Sequence, residues 1–207
     1  MQGKTVFELG AGAGLPSLIS AINGAKQVVV TDYPDSELIE NLQLNIEQCH
    51  LLSQLPNINA VGYLWGADVT SVTQFLPAAE RHACFDLLIL ADLLFNHSEH
   101  EKLVTSVQKT LKKAADAQAL VFFTPYRPWL LEKDLAFFDS ARSGGFTVEK
   151  ILEKVLDKVM FEEDRGVRLP TRPDRLIEVL MIFQDELLRR TVFAYRLRWS
   201  EESLGDR

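Results

Sequence analysis

The sequence predicts an α/β fold, a parallel sheet with helices on both faces. Strand and helix patterns alternate along the chain, which is the signature of that architecture. One strand, Phe85–Leu90, is apolar but for Asp86, as expected when both faces of a sheet are covered. The chain also opens on a buried strand, a glycine-rich turn and a helix, the unit from which such sheets are built.

The elements follow in order. Thr5–Leu9 reads as the first strand and Leu15–Ile22 as the helix after it. Val28–Thr31 is β-rich and ends at Asp32. Leu38, Leu42 and Ile46 recur at helical spacing. Asn59–Tyr63 is a short apolar strand running into Leu64, Trp65 and Gly66. After Phe85–Leu90, Ser98-Glu99-His100-Glu101 has the form of a capping box, opening a helix that continues through Leu111. Leu120–Phe123 is another buried strand. Pro128 suits the first turn of a helix with Leu131, Leu135 and Phe138 on one face, which Gly144 and Gly145 end. Val192–Leu197 is a late β run.

Composition excludes several classes. The 207 residues are enough for one domain with a real core. A net charge of −7 argues against nonspecific nucleic-acid binding, which needs basic surface. No apolar stretch is long enough to span a bilayer, and no secretory signal precedes the first strand. Two cysteines, Cys49 and Cys84, make neither a disulfide framework nor a metal site, so a reduced, cytoplasmic setting is expected. His97, His100 and Glu101 share a helix start, but a metal needs three or four convergent ligands. Helix capping and surface packing are the expectation for them.

The run Phe7-Glu8-Leu9-Gly10-Ala11-Gly12-Ala13-Gly14 carries the chemistry. Three glycines let the backbone turn sharply and approach a ligand, beside the free N–H groups of the next helix. A dinucleotide site wants Gly-x-Gly-x-x-Gly, and here Leu15 stands where that pattern has its last glycine. Glu8 would also repel a phosphate. A carboxylate there suits a cationic or hydroxyl-bearing ligand. Asp32, closing the second strand 18 residues after Gly14, is placed to accept ribose hydroxyls. Trp65, after the third strand, offers a flat ring to an adenine or simply packs in the core. Asp92-x-x-Phe95 puts a carboxylate and an aromatic just past the fourth strand.

The glycine run resembles motif I of the S-adenosylmethionine-dependent methyltransferases. Asp92-x-x-Phe95 is similar to the [Asp/Glu]-x-x-[Tyr/Phe] signature of methyltransferase family 16, a seven-strand class I group acting mostly on proteins. Thr31–Asp35, Gly62–Gly66, Leu94–His100, Pro125–Asp134 and Met160–Asp164 follow in the order of a fungal branch of that family. The resemblance implies a Rossmann-like class I sheet, mostly parallel, with a late antiparallel strand. It implies a monomer and a protein substrate, translation elongation factor 1-alpha, methylated on its N-terminal amine and adjacent lysine. S-adenosyl-L-methionine is the implied cofactor, held by Gly10, Ala11, Gly12, Asp32, Trp65 and Ala91, with Glu8 and Gly14 as neighbours. Asp92 and Phe95 then face the incoming amine, which attacks the sulfonium methyl in line without a metal. Other readings stay open: a methyltransferase for a small amine such as nicotinamide, a non-catalytic module, and a dehydrogenase, the last disfavoured by the glycine spacing.

Two departures from the family pattern stand out. The family's N-terminal segment, which covers the cofactor, is expected to be missing from a domain that begins almost on its first strand and runs to residue 200, with 201–207 as a tail. Cofactor affinity should fall with it. Residues 167–184, from Val167 to Gln184, exceed the pattern by 18 positions. Valine codons begin with GT and one glutamine codon ends in AG, so a retained intron and a true insertion both fit. Its apolar run is expected to form an added helix or to be poorly ordered.

Overall fold

The computed structural model describes residues 1–52, 57–78, 81, 84–159 and 184–205. Seven strands form one sheet: β1 (Thr5–Leu9), β2 (Gln27–Asp32), β3 (Ile58–Gly62), β4 (Leu87–Ala91), β5 (Gln118–Phe123), β6 (Phe146–Val155) and β7 (Thr191–Trp199). Their order is β3-β2-β1-β4-β5-β7-β6. Neighbours from β3 to β5 pair in parallel, whereas β7 runs antiparallel to both β5 and β6. The expected mostly parallel sheet with a late antiparallel strand is therefore the fold observed.

Strand periodicity divides the core between the two faces. Phe7, Leu9, Val29, Leu88 and Leu90 point to one side, Val6, Val28, Val30, Leu87 and Ile89 to the other. The second face is covered by α1 (Leu15–Ile22) and α2 (Ser36–Gln48), through Leu18, Ala21, Ile22, Ile39, Leu42 and Ile46. The first is covered by a one-turn α3 (Thr70–Thr73), α4 (His100–Thr110) and α5 (Leu131–Ser143). Phe7 stacks on Phe85 with ring centres 4.9 Å apart beneath these helices. Burying one such ring contributes about 2–3 kcal/mol.

Several sequence expectations need correction. Leu38 lies 40% exposed on α2, which turns only Leu42 fully inward. Phe85 precedes β4 and makes an isolated bridge to Leu111. The capping box does not form: a 3-10 turn (His97–Glu99) leads into α4, which has no side-chain cap, and Ser98 bonds Asn96 instead. Pro128 begins a separate 3-10 turn ahead of α5. Strand β6 has no sequence forecast. Residues 184–189 are helical, and within the expected tail Glu201–Gly205 forms a short helix, whose Ser203 bonds the Gly145 carbonyl. The excess segment 167–184 lies outside the described residues, apart from Gln184.

Candidate active site

Two loops leave the sheet side by side, one after β1 and one after β4. Strand order reverses between these neighbours, and in such sheets ligands bind in the crevice at that point. Gly10 (φ 57°) and Gly12 (φ 55°) hold the left-handed backbone that glycine adopts without cost. A Cβ at Gly10 would lie 2.6 Å from Leu93 Cδ2 and 3.2 Å from the Trp65 ring. The loop is pinned from below. Ala11 N–H donates to the Thr31 carbonyl (2.9 Å), and Asn45 Nδ2 to the Ala13 carbonyl (3.1 Å). Asp32 accepts from Gly12 N–H and from Tyr33 N–H, each at 2.7 Å.

The loops enclose an open cleft of about 900 Å³. Its carboxylates are Asp32, Asp92 and Glu99, and its apolar walls include Leu64, Trp65, Leu93 and Phe95. Among the described residues no lysine or arginine lines it, so none of these would neutralise a pyrophosphate. That chemistry argues against a dinucleotide and for a cationic ligand with hydroxyls.

Glu8 sits directly under the glycine loop and is 0% exposed. One oxygen accepts from the backbone N–H of Ser17 (2.9 Å) and from its hydroxyl. The other, Oε1, has no partner among the described residues. Burial pushes the carboxyl from 4.5 up to about 7, Ser17 opposes that rise, and the Asp32 charge adds to it. An unpartnered buried carboxyl beneath a ligand loop fits a cofactor bearing an amino group and a sulfonium.

Gly10, Gly12, Asp32, Trp65, Asp92 and Phe95 all line the cleft. Glu8, Ala11, Gly14 and Ala91 do not; they support it. Gly14 caps α1 in left-handed geometry (φ 73°), and a Cβ there would meet Leu42 Cδ2 at 2.9 Å. Ala91 ends β4 opposite Phe122.

Asp92 also has left-handed backbone (φ 59°), which costs a non-glycine residue about 1 kcal/mol or more. Its N–H donates to the Phe122 carbonyl at 2.7 Å, holding the strain in place. Burial raises its carboxyl above the usual range, the Thr124 backbone opposes this, and the charge of Asp134 adds to it.

A second, much smaller cavity, with room for about one water, adjoins Asp92 and Phe95. Phe123, Thr124, Tyr126, Arg127, Leu130 and Asp134 complete it. Asp92, Phe95 and no other polar or aromatic side chain border both spaces. Asp134 was not singled out from the sequence, and its partner His97 was expected only to cap a helix or pack at the surface; yet Asp134 shares the buried face of α5 with Phe137, Phe138 and Ala141. A carboxylate inside an apolar stripe was the available signal. The surface-packing expectation for the histidines also fails: His100 is 6% exposed, its Nε2–H donates to the Leu94 carbonyl, and its ring meets Phe137 edge-on.

Residues 1–143 match a protein-family model described as lysine methyltransferase, methyltransferase family 16. The chain belongs to this family. The methyltransferase is 45% identical over 206 residues to a protein N-terminal and lysine N-methyltransferase of Aspergillus fumigatus, covering 99% of this chain and 72% of that one. A protein of the same name from Schizosaccharomyces pombe is 49% identical over 166 residues, 80% of this chain and 64% of that one. Among solved structures, a putative S-adenosylmethionine dependent methyltransferase of Listeria monocytogenes has the same fold (TM-score 0.59, 12% identity, covering 97% of this chain and 92% of that one). The YcgJ protein of Bacillus subtilis is similar (TM-score 0.60, 14% identity, 96% and 93%).

Proposed function

We propose that this methyltransferase transfers methyl groups from S-adenosyl-L-methionine to the N-terminal amine and adjacent lysine of a protein, translation elongation factor 1-alpha. One observation carries the reading: the cofactor-sized cleft and a narrow acidic cavity meet at Asp92 and Phe95. An amine reaching that shared wall from the open cleft would meet the Asp92 carboxylate and the Phe95 ring. The names of the relatives support the same reaction.

S-adenosylmethionine supplies an electrophilic methyl group when bound. Gly10 and Gly12 would leave room for it, Asp32 would accept from its ribose and Trp65 would cover its base. Asp92 and Phe95 orient the amine. Asp92 accepts the N–H bonds of the entering ammonium, and Phe95 offers a ring face to its charge. Most of the acceleration comes from holding nitrogen about 3 Å from its target. The family resemblance suggests a cytoplasmic monomer. Among the described residues no helix is long and apolar enough to cross a membrane.

The test is mass spectrometry of elongation factor 1-alpha after incubation with the enzyme and S-adenosylmethionine, with nicotinamide in a parallel reaction. A methyl increment on the N-terminal peptide is expected, together with its loss in Asp92→Ala while cofactor binding persists. Methylation of nicotinamide alone would establish the small-amine reading instead. Full turnover by Asp92→Ala would remove Asp92 from the mechanism.

A further inference from the structure

An ammonium held at Asp92 and Phe95 must shed a proton before nitrogen can offer its electron pair, and that proton needs a way out. Asp134 lines the cavity and is 6% exposed. Its Oδ1 lies 2.6 Å from His97 Nε2, and the His97 side chain is 25% exposed, reaching solvent outside the cavity. We propose that Asp134 and His97 form a proton exit, taking the proton from the substrate ammonium to bulk water. The proposal rests on the function proposed above and adds two residues to its machinery.

The balance is simple. The N–H bond breaks, nitrogen keeps the pair, Asp134 and His97 receive the proton, and His97 releases it outward. One proton leaves for each methyl added. The surrounding groups favour this direction. Asp92 faces Asp134 from the loop after β4, so two carboxylates flank the incoming charge. Burial raises the Asp134 carboxyl, which brings it nearer to a substrate amine, while His97, His100 and Arg127 pull it back. His100 meets the His97 ring edge-on at 5.6 Å, and burial lowers its basicity, so it holds a proton less readily than a free imidazole. Tyr126 and Arg127 complete the cavity from the loop after β5.

His97→Gln tests the exit. Glutamine can still donate a hydrogen bond to Asp134 but cannot carry a proton. Two peptides are compared, one with a free N-terminus and one acetylated there so that lysine alone reacts. The α-amine loses its proton unaided near pH 8 and lysine near 10.4. At pH 7 the variant should lose about tenfold or more in kcat on both. Raising the pH to about 9 should restore α-amine methylation and leave lysine methylation depressed. Cofactor affinity and melting temperature should match the wild type. Asp134→Asn should reproduce the profile, and if it fails to fold the partly exposed position 97 still decides. Superimposable pH profiles for His97→Gln and wild type would overturn the exit while leaving the proposed function intact. A wild type that methylates neither peptide would overturn the function itself, and the exit with it.

Discussion

Glu8 makes the stability of this enzyme fall as pH rises through the neutral range. Its carboxyl is raised from 4.5 to about 7, chiefly by burial. Between those values the unfolded chain has released the proton and the folded chain still holds it. Stability therefore declines with pH across that window and levels off above about 7. At about 1.4 kcal/mol per unit the full effect is about 3.5 kcal/mol, and about 2.5 kcal/mol of it falls between about pH 5 and pH 8. Other buried groups titrate too, Asp92 and Asp134 in the same direction and His100 in the opposite one. The Glu8→Gln variant isolates the contribution. It keeps an acceptor for Ser17 and has nothing to ionise. Urea unfolding of both proteins at pH 5, 6, 7 and 8 gives the difference in stability at each value. Relative to wild type, the variant should gain about 2 kcal/mol or more from pH 5 to pH 8. A difference that stays flat would refute a raised Glu8.

Three further outcomes follow from the cleft. Gly10→Ala forces a Cβ against Leu93 and Trp65 in a left-handed backbone, so thermal unfolding should show a loss of about 1–3 kcal/mol, and calorimetry a weakened affinity for S-adenosylmethionine. Asp32→Ala removes the acceptor of two loop N–H groups and the ribose carboxylate; cofactor Kd should rise about tenfold or more, and an unchanged Kd would mean that the ribose lies elsewhere. Phe95→Leu keeps the apolar volume of a half-exposed side chain but loses the ring face, so kcat should fall with stability unchanged; equal kcat would assign Phe95 to simple shape.

The central sheet was legible because its strands are predominantly apolar and its turns are marked by glycine and aspartate. Glu8 to Gly14, Asp32, Asp92 and Phe95 could be placed because each stands at the carboxyl end of such a strand. Strand β6 was not legible. It has β7 as its one partner, and most of its side chains are exposed, so Glu149, Lys150, Glu153 and Lys154 mask any alternation. The capping box failed because the turn before α4 tightens into a 3-10 geometry in which Ser98 finds Asn96 first. The meeting of His97 and Asp134 joins positions 37 residues apart, a proximity set by the packing of α5 beside the turn before α4. Local pattern carries no information of that kind.

With the role proposed for Asp92, its left-handed backbone sets thermal robustness and turnover against each other at a single codon. Glycine relaxes that conformation at no steric cost, and asparagine tolerates it better than most residues. A library selected for heat resistance should therefore enrich Asp92→Gly and Asp92→Asn early, and those clones would be the ones that have lost their chemistry. The wild-type aspartate persists in such a library only when survival also demands methylated product.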